Sequence, residues 1–513
     1  MRPAMKKNQL PVLGLTLALL LTACTAPGQA EVAPEPTPTP TPVVVTETRP
    51  FALPCYPAGG FHPITGSNRL NLTLAPLLYR GLFALDSSFE PQKDLCESYS
   101  VSEDGLTWTF ALTAANFSDG TPLTSAEAAA SLELARQSSR YGGRLSGVAR
   151  VTAGEGVVVL TLTRPNGALP ALLDIPIVKE TEDPQRPLGT GPYALTEGTE
   201  GLEFTAQREA VPLPTIPLRT IGASDDLVYA FDAREVSLVD TDLTGANALG
   251  FSGRFETTDY ATTTFLYVGL NMESGPCQEV PVRQALARIF DREDLVERLL
   301  AGHARASALP VHPASSLYDS ALASSLSCDP EAAQSLLTAA GWTLSEEGRL
   351  QKNRSGLSLR LVVNQDNTYK VRLADALGEA LEEMGIAVTV DKLPWDDFVS
   401  ALEKQDFDLY LAETNLTADF DLETLLGAAG TLNYGGFRDA ETAQLLETYH
   451  AAQGEDRTQA AARLYARVAE LSPIVSLCFK NGSLLTQWGQ VSGASPTQRD
   501  VFYGLEGWTI AQF

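Results

Sequence analysis

The feature that most constrains the fold is an alternation of strand and helix patterns between residues 359 and 411. Apolar runs at 359–363, 386–390 and 407–411 predict strands, and helix patterns at 369–384 and 396–404 stand between them. Strands that alternate with helices lie parallel and are joined by right-handed crossovers. The sequence therefore predicts an α/β layer in this part of the chain.

Polar residues gather where these predicted strands end. Ligands of parallel sheets bind beyond the carboxyl ends of the strands, so the residues that follow Val363, Val390 and Leu411 are candidates for a binding site. They are Asn364, Trp395, Glu413, Asn415 and the run ADFD at 418–421.

A strand, a turn and a helix are predicted between residues 104 and 135. Residues 106–112 (LTWTFAL) alternate between large apolar side chains and small or polar ones, as on a half-buried strand that follows the turn at Asp104 and Gly105. Thr124 precedes Glu127 by three residues, which is the spacing of a capping box and predicts a helix through Ala135.

Residues 104–124, DGLTWTFALTAANFSDGTPLT, closely resemble a stretch of the extracytoplasmic solute-binding proteins of peptide/nickel ABC importers, the family 5 oligopeptide- and dipeptide-binding type. Residues 74–85 (LAPLLYRGLFAL) and 188–193 (LGTGPY) are similar to further segments of that family, in the same order. The chain departs from the family pattern after Thr124, where Ser125 and Ala126 replace Ala-Glu and Glu127 replaces Asp.

The resemblance implies an α/β, two-lobed periplasmic-binding-protein-like fold (type II, cluster C) with an extra subdomain in the first lobe. We expect lobe I to comprise residues 51–75, 186–264 and 487–513, and the inserted subdomain to comprise residues 76–185. Lobe II would comprise residues 265–486, entered through a predicted strand at 263–270 and left near Trp488.

The first fifty residues predict export and anchoring. Two lysines precede an apolar run at 10–21 that is too short to span a bilayer stably, which predicts a signal peptide over residues 1–23. Residues 21–24 (LTAC) resemble a bacterial lipobox, which implies that Cys24 is lipidated; an ordinary signal peptide is the alternative. The Pro- and Thr-rich composition of residues 24–50 predicts an extended tether. We expect a protein anchored by lipid to the cell membrane, in a periplasmic space or on the outer face of a Gram-positive membrane.

Length, composition and net charge limit the number of lobes and the classes of ligand that we expect. A chain of 513 residues with 44% apolar content is long enough for two or more lobes with cores. Its formal net charge of −26 argues against nucleic acid and favours cationic ligands.

Cysteines and histidines give no sign of a cofactor or a metal. Disulfides are permitted outside the cytoplasm, but the five cysteines beyond Cys24 cannot all pair, and their connectivity stays open. They are Cys55, Cys96, Cys277, Cys328 and Cys478. The four histidines are not spaced as a helical ligand pair, and we expect them to be surface residues. They are His62, His303, His312 and His450. GxSxG, HExxH and Walker A motifs are absent from the sequence, so we predict that the protein is not an enzyme.

The family resemblance also implies site residues. In peptide-binding members a run similar to ADFD contributes the carboxylate that receives the α-ammonium of the peptide, and Asp419 matches that position. Leu422 and Glu423 replace the acidic residue and the proline that follow in the family, and a solvated acidic loop is the alternative. The further expected ligand contacts are Asn433, Tyr434, Trp395, Asn271 and Phe61.

These observations predict a monomeric receptor that closes two lobes round a solute, a short peptide in the first place, and presents it to an ABC permease. The sequence leaves a cationic small molecule, a sugar or a metal chelate open as the ligand. A lipid-anchored hydrolase and a receptor that serves a sensor are the alternatives from other classes.

Overall fold

The computed structural model describes residues 50–512. The predicted signal peptide, Cys24 and the tether up to residue 49 therefore lie outside the described residues. Every helix within residues 50–512 is too short or too polar to cross a bilayer.

The strands of residues 50–512 form three larger sheets and several two- or three-stranded ribbons. In chain order the strands are β1 (Leu53–Cys55), β2 (Phe83–Leu85), β3 (Pro91–Lys93), β4 (Cys96–Val101), β5 (Thr107–Leu112), β6 (Val148–Ala153), β7 (Val157–Leu162), β8 (Tyr193–Gly198), β9 (Gly201–Ala206), β10 (Thr215–Thr220), β11 (Leu238–Thr241), β12 (Phe255–Leu270), β13 (Ala304–Ala306), β14 (Thr343–Leu344), β15 (Leu350–Lys352), β16 (Ser355–Gly356), β17 (Ser358–Asn364), β18 (Ala387–Leu393), β19 (Leu409–Asn415), β20 (Ile474–Gln487), β21 (Val491–Ser492) and β22 (Thr509–Ile510).

Helices cover these sheets and connect their strands. In chain order they are α1 (Arg69–Thr73), α2 (Ala75–Leu78), α3 (Ser125–Gln137), α4 (Ser224–Asp232), α5 (Val280–Ile289), α6 (Arg292–Leu299), α7 (Ser320–Ser325), α8 (Pro330–Ala339), α9 (Thr368–Glu383), α10 (Trp395–Glu403), α11 (Glu423–Leu426), α12 (Ala440–Ala451) and α13 (Gly454–Leu471). Short 3₁₀ helices occupy Pro57–Gly59, Leu169–Leu172, Pro276–Gln278 and Leu505–Gly507.

The α/β layer predicted between residues 359 and 411 is present. β17 pairs in parallel with both β18 and β19, and α9 and α10 are the crossovers. Because helices cover the sheet, β17 is buried over nearly its whole length and reads as a continuous apolar run. The sheet continues through β12, β20 and β11 on the β19 side, and β13 pairs with β20.

The strand, turn and helix predicted from residues 104–135 are also present. β5 lies within the antiparallel sheet β4-β5-β7-β6 and buries Trp108 and Phe110. α3 begins with the predicted capping box, in which the Thr124 hydroxyl accepts from the Ala126 N–H and the Glu127 carboxylate accepts from the Thr124 N–H. The substitution of the family's Asp by Glu127 thus keeps a residue that can complete the cap.

The glycines of the segment LGTGPY allow two backbones to touch. The Gly191 N–H donates to the Leu78 carbonyl at the end of α2, and a Cβ on Gly191 would lie 2.4 Å from the Leu78 carbonyl carbon. A Cβ on Gly189 would lie 2.0 Å from the Leu78 oxygen. Any side chain at either position would push α2 away from β8, which explains the composition of the segment.

β12 is much longer than the strand predicted at 263–270, and β20 has a similar length. They pair with each other in antiparallel fashion from Phe255 opposite Gln487 to Gly269 opposite Ile474, with an irregularity between Ala261 and Phe265. Polar residues interrupt the apolar pattern of both strands, at 256–264 and 480–483, which is why periodicity alone finds only their apolar ends.

The buried apolar side chains fall into two groups that β12 and β20 join. One group draws on residues 51–255 and 484–508, and the other draws on residues 265–479 with one exception, Phe89. The predicted inserted subdomain shares a continuous core with the rest of lobe I, since Trp108 and Leu53 belong to one cluster. The structure is thus a two-lobed α/β fold, and the boundary residues of the lobes stay a prediction.

Candidate functional site

The carboxyl edge of the lobe II sheet lies where the chain passes between the lobes. Asn415, the last residue of β19, pairs with Thr264 of β12, and its side-chain oxygen accepts from the Thr264 hydroxyl at 2.8 Å. Thr264 belongs to the irregular stretch of β12 between Ala261 and Phe265. The polar residue at the end of β19 therefore borders the junction of the two lobes.

Lobe I has cavities on its side of this junction. A cavity of about 600 Å³ lies beyond the carboxyl ends of the parallel strands β1 and β10 and is bordered by the loop 241–247. A second cavity, of about 570 Å³, shares Arg69 and Asp240 with it. The Thr244 carbonyl in the bordering loop accepts from the Asn367 amide of lobe II at 3.2 Å. The candidate site is therefore the place where the two carboxyl edges meet, as parallel strands favour.

A row of charges connects the two lobes. The Lys480 side chain, in β20, is 3% exposed, and its Nζ lies 2.7 Å from Asp242 Oδ2 of lobe I and 3.4 Å from Glu413 Oε2 of lobe II. Lys370 Nζ lies 3.4 Å from the same Glu413 oxygen. Burial by itself would raise the pKa of the Asp242 carboxyl, but the charge of Lys480 and the hydrogen bonds from Lys480 and Thr244 outweigh burial and lower that pKa.

Asp419 is a buried carboxylate without a cation. It is 4% exposed, and its Oδ1 accepts from the Thr417 hydroxyl at 2.5 Å and from the Asp421 N–H at 3.4 Å. Within residues 50–512, no Lys, Arg or His nitrogen forms an ion pair with this carboxylate. The Asp419 carbonyl, by contrast, accepts from the Tyr449 hydroxyl and from Arg457 Nη2, so the main chain is fixed from behind.

Asp421, two residues later, is paired. Its Oδ1 lies 2.8 Å from Nε2 of His450, whose side chain is 5% exposed. Burial by itself would raise the pKa of Asp421, but the hydrogen bond and the charge of His450 outweigh burial and lower that pKa. Of the two carboxylates of the ADFD run, only Asp419 is thus left without a cation among the described residues.

Trp395 is the second predicted site residue that the structure places at this edge. It is the first residue of α10, directly after β18, and 59% of it is exposed. Its ring centre lies 6.1 Å from that of Phe398. An exposed indole offers an apolar face to a ligand.

The other predicted contacts lie away from the cleft, and we correct their assignment. Asn271 is fully buried at the amino end of β19, and its amide donates to Ser274, Gln405 and Phe407. Asn433 donates to the carbonyls of Gly427 and Phe437. Both asparagines hold loops, because their polar atoms are already used within the chain.

Tyr434 and Phe61 also lie outside the cleft. Tyr434 follows Asn433, and its ring packs edge-on against Tyr410. Phe61 is 2% exposed in the core of lobe I.

The histidines are not the surface residues that the sequence suggests. His62, His312 and His450 are each about 5% exposed or less, and His62 lies 3.1 Å from Glu180. His312 packs between Phe89 and Phe479, with both ring centres 5.2 Å away. Burial, with a smaller contribution from the charge of Arg305, lowers the pKa of His312 to about 4. His303 alone is partly exposed, beside Asp259.

Metal ligands and disulfides are not found among residues 50–512. No group of three or more His, Cys, Asp or Glu side chains is placed to hold a metal ion there. The five cysteines of this part of the chain are free thiols, and only Cys328 is exposed.

The sequence reading missed the contribution of β20 and of the C-terminal segment to the cleft. Lys480 is the one charged residue in the run 474–485, and a single cation in a largely apolar strand indicates a buried residue with a charged partner. The Gln498 side chain binds β12 through the Thr263 N–H and hydroxyl, and nothing local in the sequence indicates this contact.

Comparison with known proteins gives one family and one fold. Residues 90–433 match the model of the bacterial extracellular solute-binding proteins, family 5 (middle). The chain is similar to the oligopeptide-binding protein AppA of Bacillus subtilis, with 25% identity over 345 residues, which are 64% of this chain and 63% of that protein. The chain thus covers about three fifths of the length of the first curated relatives that it matches.

Solved structures show the same fold. The structure of AppA from Bacillus subtilis in complex with a nonapeptide aligns with a TM-score of 0.59 at 20% identity and covers 90% of this chain and 97% of that one. NikZ from Campylobacter jejuni in complex with Ni(L-His) aligns with a TM-score of 0.62 at 20% identity, over 90% and 99% of the two chains.

Replacing Lys480 of β20 should destabilise the protein. Lys480→Met removes the positive charge that lies between the Asp242 and Glu413 carboxylates. We expect the free energy of unfolding to fall by about 2–3 kcal/mol. This is less than for a fully buried ion pair, because both carboxylates are partly exposed. Urea denaturation measures this. Lys370→Met, at a more exposed site on the same Glu413, should cost less than about 1 kcal/mol. Equal costs for the two variants would contradict a special role of Lys480.

The pKa of His312 predicts a pH-dependent loss of stability. An unfolded chain binds a proton on His312 below about pH 6.5, whereas the folded chain does so only below about pH 4. Stability from this group is therefore complete above pH 6.5 and falls by about 3 kcal/mol as the pH drops to 4. Denaturation curves of His312→Gln and His312→Phe should depend less on pH over this range than those of the unchanged protein. If the stability of the variants and of the unchanged protein depended on pH to the same extent, the contribution of His312 would be ruled out.

Proposed function

Because this chain belongs to the bacterial extracellular solute-binding proteins of family 5, we propose that it is the lipid-anchored receptor of an ABC importer, which captures a short peptide between its lobes and delivers it to a membrane permease. As a member of this family it is a binding protein of a transporter and not an enzyme.

The observation that carries the proposal is the unpaired carboxylate of Asp419. A charge held away from water without a partner costs several kcal/mol, so a buried carboxylate in a cleft favours a ligand with a positive charge. Asp419 lies in the loop that follows β19. Tyr449 and Arg457 bind its carbonyl, and its carboxylate forms no ion pair among residues 50–512. The α-ammonium of a peptide supplies both the charge and three hydrogen-bond donors.

A peptide suits this cleft better than the other solutes of the family. Trp395 offers an exposed aromatic face beyond β18, which suits side chains of varied shape. The net charge of −26 favours a ligand with a cationic end. AppA, the relative named above, is an oligopeptide-binding protein, and its solved structure holds a nonapeptide. Another cationic small molecule, a sugar or a metal chelate such as the Ni(L-His) of NikZ is the alternative ligand.

Delivery to a permease requires a change of shape that the ligand drives. The two lobes joined by β12 and β20 suit a hinge that closes round the solute. Contacts made only in the closed form must supply the energy, and a shift from mostly open to mostly closed needs on the order of 5 kcal/mol of differential affinity. The Asp419 contact is a candidate for part of it, because the carboxylate is buried and forms no ion pair among residues 50–512.

Removing the charge of Asp419 should discriminate between two forms of the same peptide. We expect Asp419→Asn to weaken binding of short peptides with a free amino end by about 10- to 100-fold, the value of a charge-assisted hydrogen bond, and to change binding of their N-acetylated forms little. Titration calorimetry with matched peptide pairs measures both. Asp397→Asn, an exposed acid beside Trp395, is the control and should leave both affinities unchanged. Equal weakening of the free and acetylated forms would remove the ammonium role from Asp419.

Removing the proposed lipid anchor should release the protein. Cys24→Ser prevents diacylation, and two acyl chains give the stable anchoring that one chain does not. We expect the variant to appear in the medium or the soluble extracytoplasmic fraction, measured by immunoblotting of fractions. Cys328→Ser, an exposed thiol of the body, should stay with the membrane. Membrane retention of the Cys24 variant would show that another element holds it.

A further inference from the structure

Three consecutive threonines, at 262–264, lie in the stretch of β12 where the regular pairing with β20 is interrupted. Ala261 still pairs with Asn481, and Phe265 pairs with Phe479. β12 therefore advances from 261 to 265 while β20 advances only from 481 to 479. An excess of residues on one strand is a β-bulge, which interrupts the ladder and bends the strand. The main chain of these threonines must find hydrogen-bond partners outside the regular ladder.

Lobe I binds the amino side of Thr263. Gln498 Oε1 accepts from the Thr263 N–H at 3.2 Å, and Gln498 Nε2 donates to the Thr263 hydroxyl at 2.9 Å. The segment that carries Gln498 is fixed in lobe I, since Phe502 is buried in the core of that lobe. The Thr497 N–H also donates to the Asp500 carbonyl at 2.9 Å, which closes a turn around Gln498. Gln498 therefore moves with lobe I.

Lobe II binds the carbonyl side of the same residue. The Thr263 carbonyl accepts from the Leu416 N–H at 3.0 Å. Leu416 is buried in a cluster of lobe II and follows Asn415, the last residue of β19. Asp419 comes three residues after Leu416. The loop that carries the proposed ammonium contact is therefore tied to Thr263.

The two sets of hydrogen bonds lie on opposite sides of the Thr263 Cα. Rotation about the φ and ψ bonds of Thr263 turns its carbonyl relative to its N–H. Lobe II can therefore turn relative to lobe I while both main-chain bonds stay in place. Residues that absorb changes of φ and ψ in this way form the hinges between domains. Thr263 is 1% exposed, so a solute has no access to it.

β20 passes from one lobe to the other at the same level. Lys480 pairs with Ala304 of β13 in lobe II, and Ser483 pairs with Thr241 of β11 in lobe I. Only residues 481–482 lie between these two sections of β20. Because residue 481 pairs with the last regular residue of β12 before the bulge, both strands cross between the lobes side by side.

We propose that Thr263 is the pivot about which β12 bends when the lobes move, and that Gln498 is the positioning residue that keeps this pivot on lobe I. The proposal rests on the proposed function, because it assumes lobes that close round a solute. Without Gln498 the bend spreads over the whole bulge at 262–264, and the solute-free lobes take up more relative orientations. Closing then orders more of the chain, which lowers the affinity for solute.

Hydrogen exchange at the Thr263 amide tests the pivot. It is measured by mass spectrometry with fragmentation to single residues, with and without the tightest-binding member of a library of tri- to pentapeptides. We expect exchange of this amide to be at least about tenfold faster in Gln498→Leu than in the unchanged protein, because the N–H loses its acceptor. Gln498→Glu keeps an acceptor and should restore slow exchange. In the unchanged protein the amide should be protected both with and without peptide, since the bond persists as the lobes move.

Affinity separates action through Thr263 from direct contact with a solute, because Gln498 also lines the cavity of about 570 Å³. By titration calorimetry with the same peptide, we expect Gln498→Leu to weaken binding by about three- to tenfold, as for the net loss of a hydrogen bond. Thr263→Val removes the hydroxyl bond from the other side and should weaken binding less. The double variant should bind as Gln498→Leu does, since both changes remove the same bond. Gln207→Leu, at an exposed glutamine of lobe I, is the control and should leave the affinity unchanged.

Three results would overturn the pivot. Unchanged affinity in Gln498→Leu would show that this side chain does not position the lobes. Additive losses of affinity in the double variant would show that Gln498 acts on the solute and not through Thr263. Protection of the Thr263 amide only in the peptide complex would show that the bond breaks when the lobes part, so that β12 bends elsewhere. Failure of the receptor function would appear separately, as the absence of peptide binding by the unchanged protein.

Discussion

The pairing of β12 with β20 is the constraint on which the rest of the structure depends. β12 runs from the core of lobe I into the core of lobe II and β20 runs back, and the two strands stay paired on either side of the irregular stretch between Ala261 and Phe265. Each lobe adds its own strands to this ribbon, β11 to the lobe I end and β19 and β13 to the lobe II end. A ribbon of two strands bends more easily than a wide sheet, so motion between the lobes is expected where only these two strands are paired.

The position of Lys480 follows from this geometry. A lysine in the middle of the ribbon meets carboxylates from both lobes, Asp242 on one side and Glu413 on the other. Its desolvation is offset only while both partners are near, which makes the relative position of the lobes matter to its energy. The same cation thus stabilises the junction and couples it to the edge of the lobe II sheet, where Glu413 also meets Lys370.

Local pattern predicted the parts of the fold that local interactions decide. Apolar periodicity found β17, β18 and β19, and the spacing of Thr124 and Glu127 found the start of α3, because a cap is made by residues three apart. The sequence also predicted Asp419 and Trp395 as ligand contacts, from the family resemblance and from the rule that parallel strands bind ligands at their carboxyl ends, and these roles stay predictions. The burial of three histidines, the loop-holding roles of Asn271 and Asn433, and the insertion of Phe89 into lobe II could not be found in this way. Each of them depends on partners more than a hundred residues away or on a loop whose path the sequence does not specify.

The loop after β19 holds the carboxylate of Asp419, the proposed ligand contact, without pairing it with a cation of the protein. Two side chains from α12 and α13, Tyr449 and Arg457, hold the Asp419 carbonyl, and the Arg457 guanidinium lies 4.0 Å from the centre of the Tyr449 ring. Arg457 therefore donates hydrogen bonds to carbonyl groups and stacks on an aromatic ring, and it does not form an ion pair with the Asp419 carboxylate. The main chain at Asp419 is thus fixed, and Arg457 is engaged elsewhere, which leaves the carboxylate available for the ammonium ligand that we propose. In the function that we propose, the groups that position the site, Tyr449 and Arg457, are thus separate from the carboxylate that binds the ligand.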